Sequence, residues 1–471
     1  MTRGLHWFRN DLRLADNTAL IALLERAQEW LPVFVLDPTL RSGLGAGSHR
    51  ERFLHDCLNR LARDLESRGV PLLVRSGAPA EVLPKLLNET GARLLSFNEA
   101  TTPFGAARDA AVRRAVEPDG VEVLSHTDHV IFRASEVRSQ TGGPYAVYSP
   151  YRKTWWKRWA EAPRLPARLP RLPAPIPGFA GPESRAELGD AALDPSVCLP
   201  TGGEPAALRR LDRFLDTAAA RYADDRDRPD IDGTSRLSPY LRFGAISVRQ
   251  CFARAQDAVE ADAGRRGGVS KWLDELIWRE FYSAILEEHP RVLRENYRKE
   301  FDTLAWNDDP EGFEAWCDGR TGFPLIDAGM RQLRETGWMH NRVRMIVASF
   351  LTKDLLIDWR EGERFFFQYL VDGDPATNNG GWQWAASTGT DAQPYFRIFN
   401  PVAQGKRWDP EGQYVRRWLP ELREVSDRLV HTPWEGPLPD DYPAPILDHA
   451  ERRETALVRY KQAREEGRAH E

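Results

Sequence analysis

A parallel, doubly wound α/β unit followed by a larger all-α unit is the architecture this sequence predicts. Three observations predict it. Short apolar runs alternate with helix-period segments over roughly the first 130 residues, residues 163 to 205 carry ten prolines, and from Glu204 onward the apolar spacing is helical almost throughout.

Leu5-His6-Trp7-Phe8, Pro32–Leu36, Pro71–Val74, Arg93–Phe97 and Val121–Leu124 read as strands, being short, apolar and rich in β-branched or aromatic residues. Between them Thr18–Glu29, Ser48–Arg68, Ala80–Leu87 and Phe104–Val116 have helical spacing. Strand–helix alternation at this interval gives a parallel sheet, and such sheets bind ligands at the carboxyl ends of their strands. Gly43-Leu44-Gly45-Ala46-Gly47 lacks the lysine of a phosphate loop and the full dinucleotide spacing, so it reads as a flexible surface loop. The proline-rich stretch can be neither helix nor central strand, because proline lacks an N–H and fixes φ. The expected organisation is an α/β domain over 1–132, an interdomain connector over 133–203 and a helical domain over 204–471. No internal repeat of fixed period is present.

The chain has 471 residues, 41% hydrophobic and 29% charged, which suits two or three globular domains and argues against disorder. Apolar runs such as Met345–Leu351 are far too short to cross a bilayer. The N-terminus meets Arg3 and Arg9 before any signal-peptide apolar region forms, so a cytoplasmic location without membrane attachment is expected. Cys57, Cys198, Cys251 and Cys317 are scattered, with no disulfide framework and no zinc-site spacing, which fits inert thiols in a reducing compartment. Net charge is −5, so any polyanion site must be a local patch. Tryptophan is the unusual residue: there are 16, eleven of them from Trp272 onward, as stacking surfaces, a cofactor pocket or a large helical core would require.

Four constellations carry chemistry. On a helix through Lys271–Tyr282, residues Trp272, Glu275, Trp278, Arg279 and Tyr282 fall within about 120° of one another, while Leu273, Leu276, Ile277 and Phe281 face the other way. Two Trp, a Tyr, a Glu and an Arg suit a pocket wall that stacks flat π systems. Glu280 falls on the apolar side, where a cation is its expected partner. A second helix places Trp338, Asn341 and Met345 on one face among Arg331, Arg334, Arg342 and Arg344, with only Glu335 opposing them between 331 and 345. Phosphate contacts and a solvated charged face both fit this local basic patch. Gly233–Pro239 offers hydroxyls and backbone N–H groups before a helix start, as a phosphate cradle or a simple N-cap would. Asp372–Trp384 holds two carboxylates, two asparagines, glycines and two Trp, and is expected to be a ligand loop rather than a core element.

These residues give the chain a resemblance to the class I cyclobutane pyrimidine dimer photolyases of the cryptochrome/photolyase family. It runs from Trp7-Phe8-Arg9-Asn10-Asp11-Leu12-Arg13 to Trp418-Leu419-Pro420-Glu421-Leu422. Its most specific stretches are Glu275–Tyr282, Thr336–Met345 and Asn378–Pro401, the last including Ser387-Thr388-Gly389-Thr390-Asp391. The resemblance implies an α/β antenna-chromophore domain and a helical domain that binds FAD in a U shape. By matching positions, Tyr222, Thr234, Ser235, Arg236, Leu237 and Ser238 hold the phosphates. Asp372, Gly373 and Asp374 lie near ribose and flavin, Trp272 belongs to the same cofactor-binding set, and Asn378 faces the reactive ring nitrogen. Trp382, Trp359 and Trp306 match the electron-transfer chain that yields reduced FADH⁻.

The implied activity is that of a lyase: light-dependent repair of UV-damaged DNA by electron transfer from excited FADH⁻ to a pyrimidine dimer flipped out of the stack. Glu275, Asn378 and Met345 are then catalytic. Trp278 and Trp384 bracket the dimer, Arg279 and Tyr282 join that surface, and Arg226, Asn341, Arg342, Arg397 and Gln404 contact the strand. No metal is implied, and a monomer that scans DNA is. Asn341 and Met345 stand where (6-4) photolyases usually carry His, which favours cyclobutane dimers; a (6-4) photolyase and a cryptochrome-like blue-light sensor are the alternatives. The antenna departs from the folate-binding pattern. Thr102-Pro103-Phe104-Gly105-Ala106-Ala107-Arg108-Asp109 lacks the Asn-Glu pair, Leu293-Arg294 replaces a Cys-Lys pair, and Thr141–Tyr148 is more like deazaflavin binders. Methenyltetrahydrofolate, 8-hydroxy-5-deazaflavin and an empty antenna site all stay open.

Overall fold

The computed structural model describes residues 1–40, 48–179 and 199–469. The 43–47 glycine loop, Cys198 and the middle of the proline-rich connector lie outside the described residues. Those described form two compact units. One comprises Met1–Tyr145, Ser149–Ala220 and Ser235–Glu288, the other Ala146–Tyr148, Arg221–Thr234 and His289–Glu471.

The first unit is built on a parallel sheet of β1 (Arg3–Phe8), β2 (Glu29–Leu36), β3 (Leu73–Ser76), β4 (Leu94–Asn98) and β5 (Glu122–His126), in the order β3-β2-β1-β4-β5. Each strand lies within two or three residues of the run that predicts it. Trp7 pairs with Val33 and Leu5 with Leu95, and all four are buried with Leu31, Phe97 and Val112 in one core. Strand order reverses between β1 and β4, the switch point at which such sheets open a crevice.

The first helix stops at Leu24, short of the predicted Glu29. Asn17 caps its start by accepting from Leu20 N–H, and at its far end the N–H groups of Gln28 and Glu29 donate to Thr2 O, which draws the chain into β2. The other crossover helices, His49–Glu66, Pro79–Thr90 and Pro103–Val116, follow their predicted spans.

Two features depart from the expected organisation. Within the 133–203 segment the chain forms a helix, Tyr148–Glu161, whose Trp155 and Trp159 are buried, stack at 5.8 Å and meet Phe252. Ala174–Pro175 then adds a two-residue parallel strand, β6, beside Glu29 and Trp30, at the sheet edge where proline is tolerated. Moreover, helices Glu204–Thr217, Val248–Ala261 and Arg266–Glu288 belong to the first unit rather than to a helical domain beginning at 204.

Buried charge explains that second departure. Arg13, just after β1, donates to Asp128 at 2.6 Å and to the carbonyls of Asp16 and Gly244. Arg249, on the Val248–Ala261 helix, donates to the same Asp128 oxygen at 2.6 Å and to Asp16 at 2.8 Å. Gly244, at φ +61°, lets this helical segment approach the Asn10–Asp11 backbone so closely that a Cβ would sit 2.2 Å from Asn10 O. Burial alone would raise the Asp128 carboxyl, but the two guanidiniums outweigh it and hold it well below the usual carboxylate range.

The second unit is helical. Its main core gathers Trp316, Trp359, Trp382, Phe350, Phe366 and Tyr414, and a smaller one docks the helix His449–Ala469 through Ala456, Tyr460 and Ala463. Cys57, Cys251 and Cys317 are buried, and burial pushes each thiol up to about 12. No helix is long and apolar enough to cross a membrane, among the described residues.

Asp128→Asn should lower the unfolding free energy in urea by about 3–5 kcal/mol at neutral pH, as removal of one partner from a buried ion network does. Because the native carboxyl is depressed, its contribution is present above the unfolded value and lost in acid. The two proteins should therefore converge as pH falls below about 4. A difference under about 1 kcal/mol at neutral pH, the range of exposed pairs, would deny the network its role.

Candidate functional site

In the first unit the Arg266–Glu288 helix presents the predicted face. Leu273, Leu276, Ile277 and Phe281 are buried, whereas Glu275, Trp278, Arg279 and Tyr282 keep partial exposure. Trp278 and Tyr282, one turn apart, lie 5.6 Å centroid to centroid at 33°. Lys271 Nζ stands 3.6 Å from Glu275. Arg279 donates to the carbonyl of His129 at 2.7 Å and reaches that imidazole. Trp272 departs from the exposed face: it is buried against Phe214, and its indole N–H donates to Ser235 Oγ at 3.2 Å.

Among the described residues Glu280 forms no ion pair, contrary to the expected cation partner. It accepts from the N–H groups of Ile131 (2.6 Å) and Phe132 (3.3 Å) and from the indole of Trp155 (2.7 Å). Three neutral donors satisfy the buried carboxylate and the charge of Arg279 acts on it from further off, but burial outweighs them and pushes its carboxyl up.

The segment ahead of Ser238 is a helix start, as predicted. Ser238–Arg242 is a short helix with Pro239 in its first turn, Arg236 takes the left-handed conformation at φ 50°, and Leu237 is buried. Ser235 Oγ accepts from Trp272, so its own hydrogen is left to give, and its carbonyl accepts from Arg210.

In the second unit the expected ligand loop over 372–384 is mostly helix. Pro375–Ala385 is helical, with Asp374 Oδ1 capping the N–H groups of Ala376 and Thr377. The amides that looked unsuited to a core are satisfied inside it. Asn378 donates to Glu363 O, Asn379 to Val292 O and the Glu363 carboxylate, and Gln383 to Val292 O. Gly373 precedes this cap. Asp372 accepts from Arg344 at 2.8 Å through one oxygen, while its Oδ1 is buried with no partner among the described residues. Tyr222 is buried under the Arg226 guanidinium, 5.7 Å away, and Thr234 is half-buried.

Trp382 and Trp359 are fully buried in one core, and Trp306 is partly buried against it. Trp359 donates to Asn296 Oδ1 at 2.9 Å, whereas the Trp382 indole N–H has no partner among the described residues. Gly362 lies against the Trp382 ring, a contact between two helices that carries no signal in the sequence.

The basic patch is charge-compensated, which local sequence hid. Arg331 pairs with Glu421, Arg334 with Asp318, Arg342 with Asp227 and Arg344 with Asp372, every acid coming from a distant segment. Arg342 also lies 4.8 Å above Trp408, whose indole donates to Gln404. Asn341 and Arg397 are exposed, and Asn341 reaches Met345 Sδ at 3.7 Å. Trp384 is partly buried against the main core.

In the antenna region, Thr102 caps the Pro103–Val116 helix and Asp109 binds Arg9, whose guanidinium lies 4.6 Å over Trp7. Tyr145 and Thr154 share a hydrogen bond, and Arg294 O accepts from Arg360. Among the described residues no group of three His, Cys, Asp or Glu forms a metal cluster.

In the second unit the orphaned buried oxygen of Asp372 fits a hydroxyl or ring N–H donor, and in the first unit the Ser235 hydroxyl has a hydrogen to give to a phosphate. A flavin nucleotide carries groups of both kinds. Residues 4–174 match the family model described as DNA photolyase, and 272–462 the one described as the FAD binding domain of DNA photolyase. The chain is 40% identical to the deoxyribodipyrimidine photo-lyase of Escherichia coli over 98% of its length and 99% of that protein's, and 41% identical to that of Halobacterium salinarum over the same shares. Its fold is similar to the structure of a class III photolyase from Agrobacterium tumefaciens (TM-score 0.90, 38% identity, 99% and 98% covered). It is also similar to the Synechocystis cryptochrome structure (TM-score 0.87, 28% identity, 97% and 99% covered). The chain belongs to the DNA photolyase family, and its C-terminal region is that family's FAD-binding domain.

Gly362→Ala would place a Cβ 2.2 Å from Trp382 Cη2. Overpacking of about 1–3 kcal/mol then outweighs the gain of up to about 1 kcal/mol in helix propensity, and the denaturation midpoint falls. A midpoint that rises would show that the ring has room to move.

Proposed function

We propose that this chain repairs cyclobutane pyrimidine dimers in DNA under light, as the class I type that its motifs resemble. The observation that carries the reading is the partly exposed face of Glu275, Trp278 and Tyr282 on a helix whose other faces are buried. A dimer flipped from the stack offers flat rings for Trp278 and imide edges for Glu275, and Trp384 and Met345 add apolar contact. Arg226, Asn341, Arg342, Arg397 and Gln404 hold the strand around it, and Arg279 keeps the helix face oriented through His129. A monomer in the cytoplasm fits this role.

FAD, when bound and reduced, supplies the photoexcited electron that opens the cyclobutane ring. Tyr222, Thr234, Ser235, Arg236, Leu237 and Ser238 would hold its phosphates, and Asp372, Gly373 and Asp374 its ribose and ring. Asn378, an amide whose N–H already donates to Glu363 O, would offer its carbonyl to the ring without adding charge. Trp382, Trp359 and Trp306 relay electrons inward. The names of the relatives support the dimer as substrate, and Asn341 and Met345 support the cyclobutane over the (6-4) product. The cryptochrome neighbour supports a second reading, a light sensor. Illumination of the reduced protein with a thymine-dimer oligonucleotide, beside a dark control and a (6-4) substrate, separates the three. Light-dependent repair of the thymine dimer alone is expected, and repair of neither substrate would turn the reading to a sensor.

Trp278→Ala should weaken binding of dimer-containing DNA by about 1–3 kcal/mol, the worth of base stacking. Unchanged affinity in a titration would remove this ring from the pocket. Trp382→Phe should abolish photoreduction while light-dependent repair persists after chemical reduction. Normal photoreduction would break the proposed relay.

A further inference from the structure

We propose that Asp227 is a specificity-determining positioning residue, an internal carboxylate that holds two strand-contacting arginines and repels the backbone of undamaged DNA. This rests on the functional reading above and deepens it.

Asp227 is unlike the other acids that pair with the basic patch. Glu421 and Asp318 pair with Arg331 and Arg334, which that reading does not place on DNA. Asp227 stands between two arginines that it does. Its Oδ2 lies 2.7 Å from Arg342 and its Oδ1 3.8 Å from Arg226. Each arginine is held at its edge by this carboxylate and at its face by a ring, Arg342 over Trp408 and Arg226 over Tyr222. All three side chains are about one-fifth exposed or less, so solvent screens them incompletely.

Asp227 thus sets one carboxylate between two guanidiniums. A phosphate that approaches either arginine therefore meets a fixed negative charge already occupying part of its site. Undamaged duplex has only phosphate contacts to offer, and it is penalised in full. A duplex with a flipped dimer also gains stacking, and it benefits from arginines held in place beforehand. In a chain of net charge −5, this arrangement provides a basic contact surface without a general affinity for polyanions.

The test is dark binding of the FAD-loaded, full-length protein to an undamaged duplex and to the same duplex with one thymine dimer, over a range of salt. Asp227→Asn should bind undamaged duplex about three- to tenfold more tightly, with a salt slope steeper by about one, since one more cation is released to phosphate. Dimer affinity should rise less, so the ratio of the two falls. Asp227→Glu should keep the wild-type slope. Asp318→Asn, the same change in net charge at a pair outside the surface, should change neither. Misfolding cannot mimic a gain in affinity. An unmoved slope and ratio in Asp227→Asn, or an equal gain in Asp318→Asn, would overturn the role of Asp227 alone. A wild-type protein that did not distinguish the two duplexes would instead sink the functional reading on which that role stands.

Discussion

The first unit depends on one buried carboxylate shared by two arginines. Asp128 lies just beyond β5, Arg13 just after β1 and Arg249 on a helix more than 100 residues away in sequence, and the charges meet where water is excluded. None of the three could be buried alone, since an unpaired ion in low dielectric is prohibitively unfavourable. The exit of β1, the exit of β5 and the later helices must therefore come together or not at all. That is why helices expected to begin a separate domain are part of the sheet unit. Asp16, held at φ 54° between Ser247 and Arg249, completes the set.

Pairing across long sequence distances is also what kept parts of the site from being legible. The strands and crossover helices were readable, because a buried parallel strand must be a short apolar run whatever packs on it. The stacking face of the Arg266–Glu288 helix was readable because its residue types are wrong for a solvated face and its period is local. Glu280 was misread: on an apolar face a carboxylate suggests a counter-ion, and nothing nearby announces that the chain at Ile131 and Phe132 will present two free N–H groups. The arginine patch was readable as a patch but not as a neutralised one, since Asp227, Asp318, Asp372 and Glu421 are brought in by the fold.

The 372–384 segment shows a different limit. Its composition is that of a loop, with asparagines and glycines that are poor helix formers. It is nevertheless a helix, because Asp374 and Pro375 start one with little strain and Val292, Glu295 and Glu363 accept from the side-chain amides of Asn378, Asn379 and Gln383. Propensity yields to tertiary hydrogen bonding here. The residues that made the segment look like a ligand site, Asp372 and Asn378, sit at the start and on the flank of a fixed element, where a flat ligand is best oriented.

The same rigidity bears on electron flow in the proposed repair enzyme. Trp382 is enclosed by Phe366, Trp316 and the bare backbone of Gly362, and its indole N–H has no acceptor among the described residues. Positive charge left on that ring would be poorly solvated. Trp359 gives its N–H to the Asn296 carbonyl, whose dipole favours a cation, and Trp306 is partly exposed to water. The middle ring of the proposed relay thus has one amide acceptor but also the Arg360 guanidinium 4.6 Å over its face, while the outer ring meets solvent. The core that makes this segment a stable helix therefore also fixes the two inner rings of the proposed relay.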